Sequence, residues 1–543
     1  MIFMKKAAVL ATAAISCFGM LLTGCQKKSN STASNQDKIT VVQNVPVDSL
    51  DPTIAYQVTS CLTVANTTEG LYTIDANEKP QLGLAEKVET SNNGLTKTFT
   101  IRKDAKWSNG DPVKANDFVF SWRRFASPKV GSPYNFEIIA SGIKNASAVV
   151  AGKKPLSALG VKAKNDKTLV VELEHPVPFL SKLLSFSSFA PINQKYFDEN
   201  GKKYAQDSDH LLATGPYKVT NWKLGDNTVQ LVKNPKYWDA KNVKVKEVKI
   251  DVITDPEKAA IAFENGSADY VHLSGQLVSK YRKDKNFQEE VSNFIHYLMF
   301  NLKKPGFDNP DVRKAISYSI DRKEITTHIL KDGSVPVHSM IMKGLAKDPA
   351  TGKDFADEST TNFSQYSPSE AKKYWNKAKS KTKLRSFTLL YDDSDPVYSN
   401  LAAYIKAQVE KNLPGMKVNL QQVAKKTRLD KMAKSTFDVA ITRWAPDYAD
   451  PTAVLGMYTT GNASNYGKWS DPAFDKLVNQ AGGMANQTKR FQTLLKANDL
   501  LIDSAACPPL YQSGAPVLKR ADIKNMPMHI AGVPYFFKYV SIK

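Results

Sequence analysis

The sequence predicts a mixed α/β or α+β protein assembled from several modules, and three observations predict it. Short runs of β-branched and aromatic residues mixed with polar neighbours recur along the chain, as half-buried strands require. Between them lie apolar stretches of helical period whose first residues carry strong start signals. Finally, 543 residues with 42% hydrophobic content can bury large cores, and the length suggests two to four domains.

Strands are expected at 39–43, 96–101, 168–173, 228–232, 248–253, 386–391, 417–421 and 437–441. Asp255-Pro256 opens a helix through Phe263, with Asp255 as N-cap and proline at the first position, where no helical amide is needed. Ser367-Pro368-Ser369-Glu370 reads as a capping box before AKKYWNKAK. Asn309-Pro310 and Asp471-Pro472 open DVRKAISYSID and AFDKLV in the same way, and Asp450-Pro451 has the same form, making Asp450 an expected N-cap.

The first residues direct the chain out of the cytoplasm. Lys5 and Lys6 precede an apolar run over 7–22, which is shorter than the roughly 20 residues a bilayer-crossing helix needs. That pattern describes a secretory signal over 1–24 rather than a membrane anchor. Leu22-Thr23-Gly24-Cys25 resembles a bacterial lipobox. The resemblance implies that Cys25 becomes the new N-terminus and carries lipid on its sulfur, with the multiple acyl chains that stable anchoring takes. Residues 25–37 are polar and cannot bury enough surface to fold, so they read as a tether. The fold is expected to begin near Lys38.

Composition excludes little and favours little. Cys17 leaves with the signal and Cys25 is lipidated, so Cys61 and Cys507 remain, either paired or as two buried thiols. The formal charge of +21 falls by two when Lys5 and Lys6 leave. Its lysines are scattered rather than clustered, which suits attraction to anionic lipid heads and wall polymers better than nucleic-acid recognition. The chain has no HExxH, GxSxG, GxGxxG or phosphate loop, and its seven histidines form no close ligand pair. A binder, not an enzyme, is the expectation, with no cofactor and no metal.

At 105–122 the residues AKWSNGDPV and ANDFVFSW resemble the signature of the extracellular peptide-binding proteins of ABC importers. SLDP (49–52), EGLY (69–72), TGPYKVTNW (214–222), KNPKYWD (233–239), FENGSADY (263–270), VRKAISYSIDRKEI (312–325) and FDVAITRWAPDYADP (437–451) continue the series. It spans the whole mature chain and is most similar to the oligopeptide-binding lipoproteins of Gram-positive bacteria. The resemblance implies an α/β, two-lobed periplasmic-binding-protein-like clamp (type II, cluster C) with an additional accessory domain. Carried onto this chain, lobe I is 38–64, 190–292 and 515–543, the accessory domain 65–189 and lobe II 293–514, with crossings near 294–301 and 508–514.

The resemblance also implies a site. Asp447, just past the 437–441 strand, matches the aspartate that pairs with a peptide's α-ammonium group. Arg443–Ala445 and the segment Val45–Val47 would hold an extended peptide as an added strand, through main-chain bonds that ignore side-chain identity. Trp444 would wall the N-terminal end, with Tyr134 a further pocket residue. Pro46 and Ile441 depart from acids and bases that some relatives carry there, and no basic residue is matched to the peptide's C-terminus. The partners implied are oligopeptides, permease subunits with cytoplasmic ATPases, and the membrane through Cys25, for a monomer on the outer face of the cell. Alternatives on the same scaffold are a signalling-peptide receptor, a nickel-chelate or haem binder, and an adhesin.

Overall fold

The computed structural model describes residues 37–359, 365–394 and 397–543. The expected signal, Cys25 and all of the tether except Asp37 lie outside the described residues.

One mixed sheet organises most of the chain. From one edge its strands are Lys417–Val423, Ser386–Asp392, Val439–Trp444, Phe287–Phe300, Pro509–Lys519, Tyr270–His272, Lys38–Gln43, Glu247–Val252, Thr228–Lys233 and Tyr217–Thr220. Ser386–Asp392 runs parallel to Lys417–Val423, and the helix Val397–Asn412 makes the crossover that a parallel pair requires. All eight expected strands are present. The 437–441 strand instead starts at Val439 and runs on to Trp444, because Thr442, Arg443 and Trp444 pair with Tyr297, His296 and Ile295 of the antiparallel neighbour.

The two long central strands, Phe287–Phe300 and Pro509–Lys519, belong to both halves of the sheet. Their pairing breaks between Val291 and Ile295, so that Ser292, Asn293 and Phe294 bulge opposite Ser513 alone. Such a bulge bends and twists a strand pair locally. Gly514 lies beside it, where an added Cβ would collide with the Asp332 carbonyl, and the Gly514 amide donates to Ser334 Oγ at 2.9 Å. Position 514 therefore admits glycine alone.

A separate antiparallel sheet of Ala85–Ser91, Thr96–Ile101, Thr168–Glu172 and Val161–Asn165 packs with the helix Ala115–Phe125. Trp107, Phe118, Trp122 and Phe125 fill the core between them. The AKWSNG segment earns its sequence here: one Asp117 oxygen accepts both Trp107 Nε1–H (3.1 Å) and the Lys114 amide (3.0 Å), folding the turn onto the helix start. Tyr448, far along the chain, joins this same core. On the large sheet, Ile39, Leu62, Leu231 and Tyr535 form one core, and two further cores flank the strands around Ile295–Phe300.

Helix starts follow the sequence closely. Asp255, Asn309, Ser367 and Asp471 each accept amides at the first turns of Pro256–Glu264, Pro310–Tyr318, Pro368–Lys379 and Pro472–Gly482. Asp450 is different. Pro451 stands at the cap of Thr452–Leu455, and Asp450 accepts the Thr452 amide (3.0 Å) while both its oxygens hold Arg490. Other motif residues also lock modules together: Arg124 grips Asp51 through two bonds, and Glu69 accepts from Trp238 Nε1 at 2.6 Å. Cys61 and Cys507 are separate, buried thiols.

Candidate functional site

The Val439–Trp444 strand delivers its last residues and the following loop to a junction of three chain segments. Pro446 lies two residues past the strand end, and its carbonyl accepts the Gly532 amide at 2.9 Å, which pins the loop to the C-terminal region. Gly532 has φ +69, and an added Cβ would press within 3.3 Å of the Asp447 carbonyl. On the other side Tyr448 stacks on Phe179 (5.2 Å, 11° between planes), and Lys182 Nζ donates to the Ala449 carbonyl at 2.6 Å. Asp447 is thus held rigidly between groups distant in sequence.

Aromatic rings wall the corner. Trp444 faces Phe136 at 6.4 Å, and Tyr134 packs on Phe186 (5.0 Å) and Tyr56 (5.7 Å). Trp444 is half-buried, and its indole N–H has no partner, an unmet donor in a place that excludes water. Tyr134 hydrogen-bonds with the Cys61 thiol, and burial pushes that thiol up to about 12. A small open cleft adjoins, lined among others by Asp447, Tyr448, Phe186 and Phe536.

The electrostatics centre on two acids. Asp447 lies in hydrogen-bonding contact with the carboxyl of Glu137, on the short helix Asn135–Ala140. Burial pushes Asp447 up to about 6, against the pull of the Glu137 hydrogen bond. Burial first, and the neighbouring Asp447 second, push Glu137 well above the carboxylate range. Glu137 is 2% exposed, and its Oε2 has no hydrogen-bond partner. Among the described residues no Lys, Arg or His forms an ion pair with either acid. Two carboxyls in contact, one buried and one half-buried, cannot both ionise cheaply, so the arrangement is complementary to a positive charge.

The other expected residues fall into two groups. Arg443 points its guanidinium away from the corner, donating to Tyr398 OH (2.8 Å) and Asp392 (3.4 Å), where Arg428 also binds. Its main chain, with that of Ala445, leads to Asp447. Val45 and Val47 follow the Lys38–Gln43 strand without belonging to it. The Val45 carbonyl already accepts Thr59 Oγ1 at 2.6 Å, leaving one lone pair, and Val47 is buried in the core with Ile39 and Leu50.

Glu137, Phe136 and Tyr56 belong to the corner and were missed from sequence. Glu137 reads there as an ordinary acid in a helix's first turn, a place where acids are common. Only the tertiary fold brings it to Asp447. Among the described residues no group of three His, Cys, Asp or Glu side chains is arranged to hold a metal ion.

Comparison with known proteins adds to this geometry. The family described as bacterial extracellular solute-binding proteins, family 5 Middle, matches residues 79–466. The oligopeptide-binding protein OppA of Bacillus subtilis (strain 168) is 31% identical over 537 residues, covering 97% of this chain and 96% of that protein. The structure of Listeria monocytogenes OppA bound to peptide superposes with a TM-score of 0.81 at 32% identity, over 94% of this chain and 99% of that one. The pheromone receptor PrgZ, whose structure describes its mode of peptide binding, gives 0.82 at 32% identity, over 94% and 100%.

Proposed function

The chain belongs to the bacterial extracellular solute-binding proteins, family 5, and from that premise we propose that it captures oligopeptides and delivers them to an ABC permease. The observation that carries the reading is Asp447: a carboxyl group fixed just past a strand end, half-buried, walled by aromatic rings and without a cationic partner among the described residues. A peptide's free α-ammonium supplies the missing charge. Trp444 and Tyr134 wall the N-terminal end, and the main chain of Arg443–Ala445 and Val45–Val47 holds the extended peptide as a strand.

Separate cores support the domain limits that the resemblance implies, although Tyr448 packs into the accessory core. Lobe I is 38–64, 190–292 and 515–543, the accessory domain 65–189 and lobe II 293–514, hinged where the two central strands lose register. Peptide touching both lobes favours the closed state, because only closure completes its contacts. The chain binds and presents its ligand without altering it. A permease and cytoplasmic ATPases complete the transporter, and this chain acts as a monomer on the outer face of the membrane, held by lipid on Cys25.

A second reading, receptor for a single signalling peptide, is favoured by the likeness to PrgZ. Mass spectrometry of ligand released from the purified protein by denaturation separates the two. A ladder of mixed peptides supports uptake, and one sequence supports signalling. An empty protein that also ignores a random peptide library overturns both.

A further inference from the structure

We propose that Glu137 is a positioning residue that stays protonated in the closed site and donates its O–H to the Asp447 carboxylate, holding the pair at one net negative charge. The inference rests on the reading that Asp447 takes a peptide's α-ammonium group.

Three features of the geometry carry it. The two carboxyls are in hydrogen-bonding contact, and a bond between two acids needs a proton on one of them. Glu137 is the more deeply enclosed: it is 2% exposed whereas Asp447 is half-buried, and its Oε2 has no partner. Among the described residues no cation pairs with either acid. In the cleft beside Asp447 the C-terminal segment offers His529, which burial holds neutral by lowering it to about 4, and the turn before the strand Pro80–Leu82 offers Glu78, pushed up by burial. The accessory segment offers Tyr134, and the first lobe Tyr56 and the Cys61 thiol. The Asp447 loop offers Tyr448, and the nearby Lys182 is spent on the Ala449 carbonyl. Asp450, on the same loop, is neutralised by Arg490. Among the described residues no other positive charge answers the pair, so the proton belongs on the acid farther from water.

The arrangement sets the ligand's charge. A pair with two negative charges would hold a single ammonium with one charge left over in a site that excludes water. A pair carrying one proton matches a single ammonium, and the Glu137 bond turns the Asp447 carboxylate toward it. The same bond eases Asp447 ionisation, so it sets the pH at which binding fails. Below about 6 the Asp447 carboxylate is protonated, and an incoming ammonium must displace that proton. Affinity then drops by about tenfold per pH unit.

The test is the pH profile of pentaalanine binding by calorimetry, for wild type, Glu137→Gln and Glu137→Leu. Gln keeps an N–H donor for Asp447, so its acid limb stays at the wild-type pH. Leu offers no donor, so its limb moves up by about one pH unit. A purely structural role would weaken binding without moving the limb. Infrared spectra of the peptide-saturated protein supply a second readout: wild type near neutral pH shows the carbonyl stretch of a protonated carboxylic acid, and Glu137→Gln loses it. This readout holds even if the Leu variant fails to fold. A limb unmoved in Leu, or a spectrum unchanged in Gln, overturns the proposal while leaving peptide capture intact. A wild-type protein that binds no peptide at any pH overturns both.

Discussion

Arg490 holds Asp450 through two hydrogen bonds of 2.7 and 2.8 Å, with both side chains about 6% exposed. The pair fastens the helix Gln487–Asp503 to the loop that carries Asp447. Replacing Arg490 with Met leaves a buried carboxylate unpaired, at a cost of about 3–5 kcal/mol. Chemical denaturation should show that loss. The Asp450 carboxyl is held below its ordinary range, against burial, chiefly by the Arg490 bond. A depressed acid binds its proton less readily when folded, so its stabilisation is present above the unfolded value near 4 and is lost as pH falls through the folded one. In Arg490→Met burial acts on Asp450 without the Arg490 bond and raises it. The penalty should therefore shrink steadily as pH falls from the raised value of the variant through the depressed value of wild type, and a penalty constant in pH would contradict the assignment.

Trp444 contributes an apolar wall rather than a charge. Trp444→Ala removes the face that meets Phe136 at 6.4 Å and opens the corner to water. Peptide affinity should fall by roughly tenfold or more, in keeping with the loss of a buried aromatic contact. Trp444→Phe should recover most of it. Titration calorimetry reads both, and equal losses for Ala and Phe would show that the wall is not what matters.

Gly514 sits beside the bulge with no room for a side chain. In Gly514→Ala the methyl group meets the Asp332 carbonyl and the neighbouring Gly333 and Ser334 main chain, none of which is a flexible side-chain end. The expected result is a loss of stability typical of overpacking, about 1–3 kcal/mol, seen as a lower melting temperature. An unchanged melting temperature would mean that the loop over 332–334 moves aside freely.

Cys61 and Cys507 are inert in the folded state. Both are buried, and burial drives both thiols up, to about 12 for Cys61, so the reactive thiolate is scarce. Iodoacetamide should leave both unmodified until the protein unfolds, after which peptide mapping finds both alkylated. Native-state labelling of either would contradict the burial described.

Much of this molecule is legible locally, and the exceptions share a cause. Asp255, Asn309, Ser367 and Asp471 cap helices as their sequence context dictates, since an N-cap needs only its own next three residues. The extra residues of Val439–Trp444 escape a local reading because a neighbouring strand supplies their partners. Asp450 looks like another cap, but its chief partner is Arg490, distant in sequence. Asp447 stands out as an acid with no local task after Pro446, while Glu137 has an innocent local explanation and shows its environment only in three dimensions. Charges and bulges that depend on tertiary neighbours leave no periodic trace in the chain.

The most direct test of the account is calorimetric titration of wild type and Asp447→Asn with pentaalanine and with N-acetyl-pentaalanine at neutral pH. Wild type should bind the free-amine peptide at least about a hundredfold more tightly than the acetylated one, the scale of a lost buried charge pair. Asp447→Asn should lose most of that preference with no drop in melting temperature, because it removes an acid that burial holds near 6. Equal affinities of wild type for the two peptides, or a preference that survives in Asp447→Asn, would contradict the central claim.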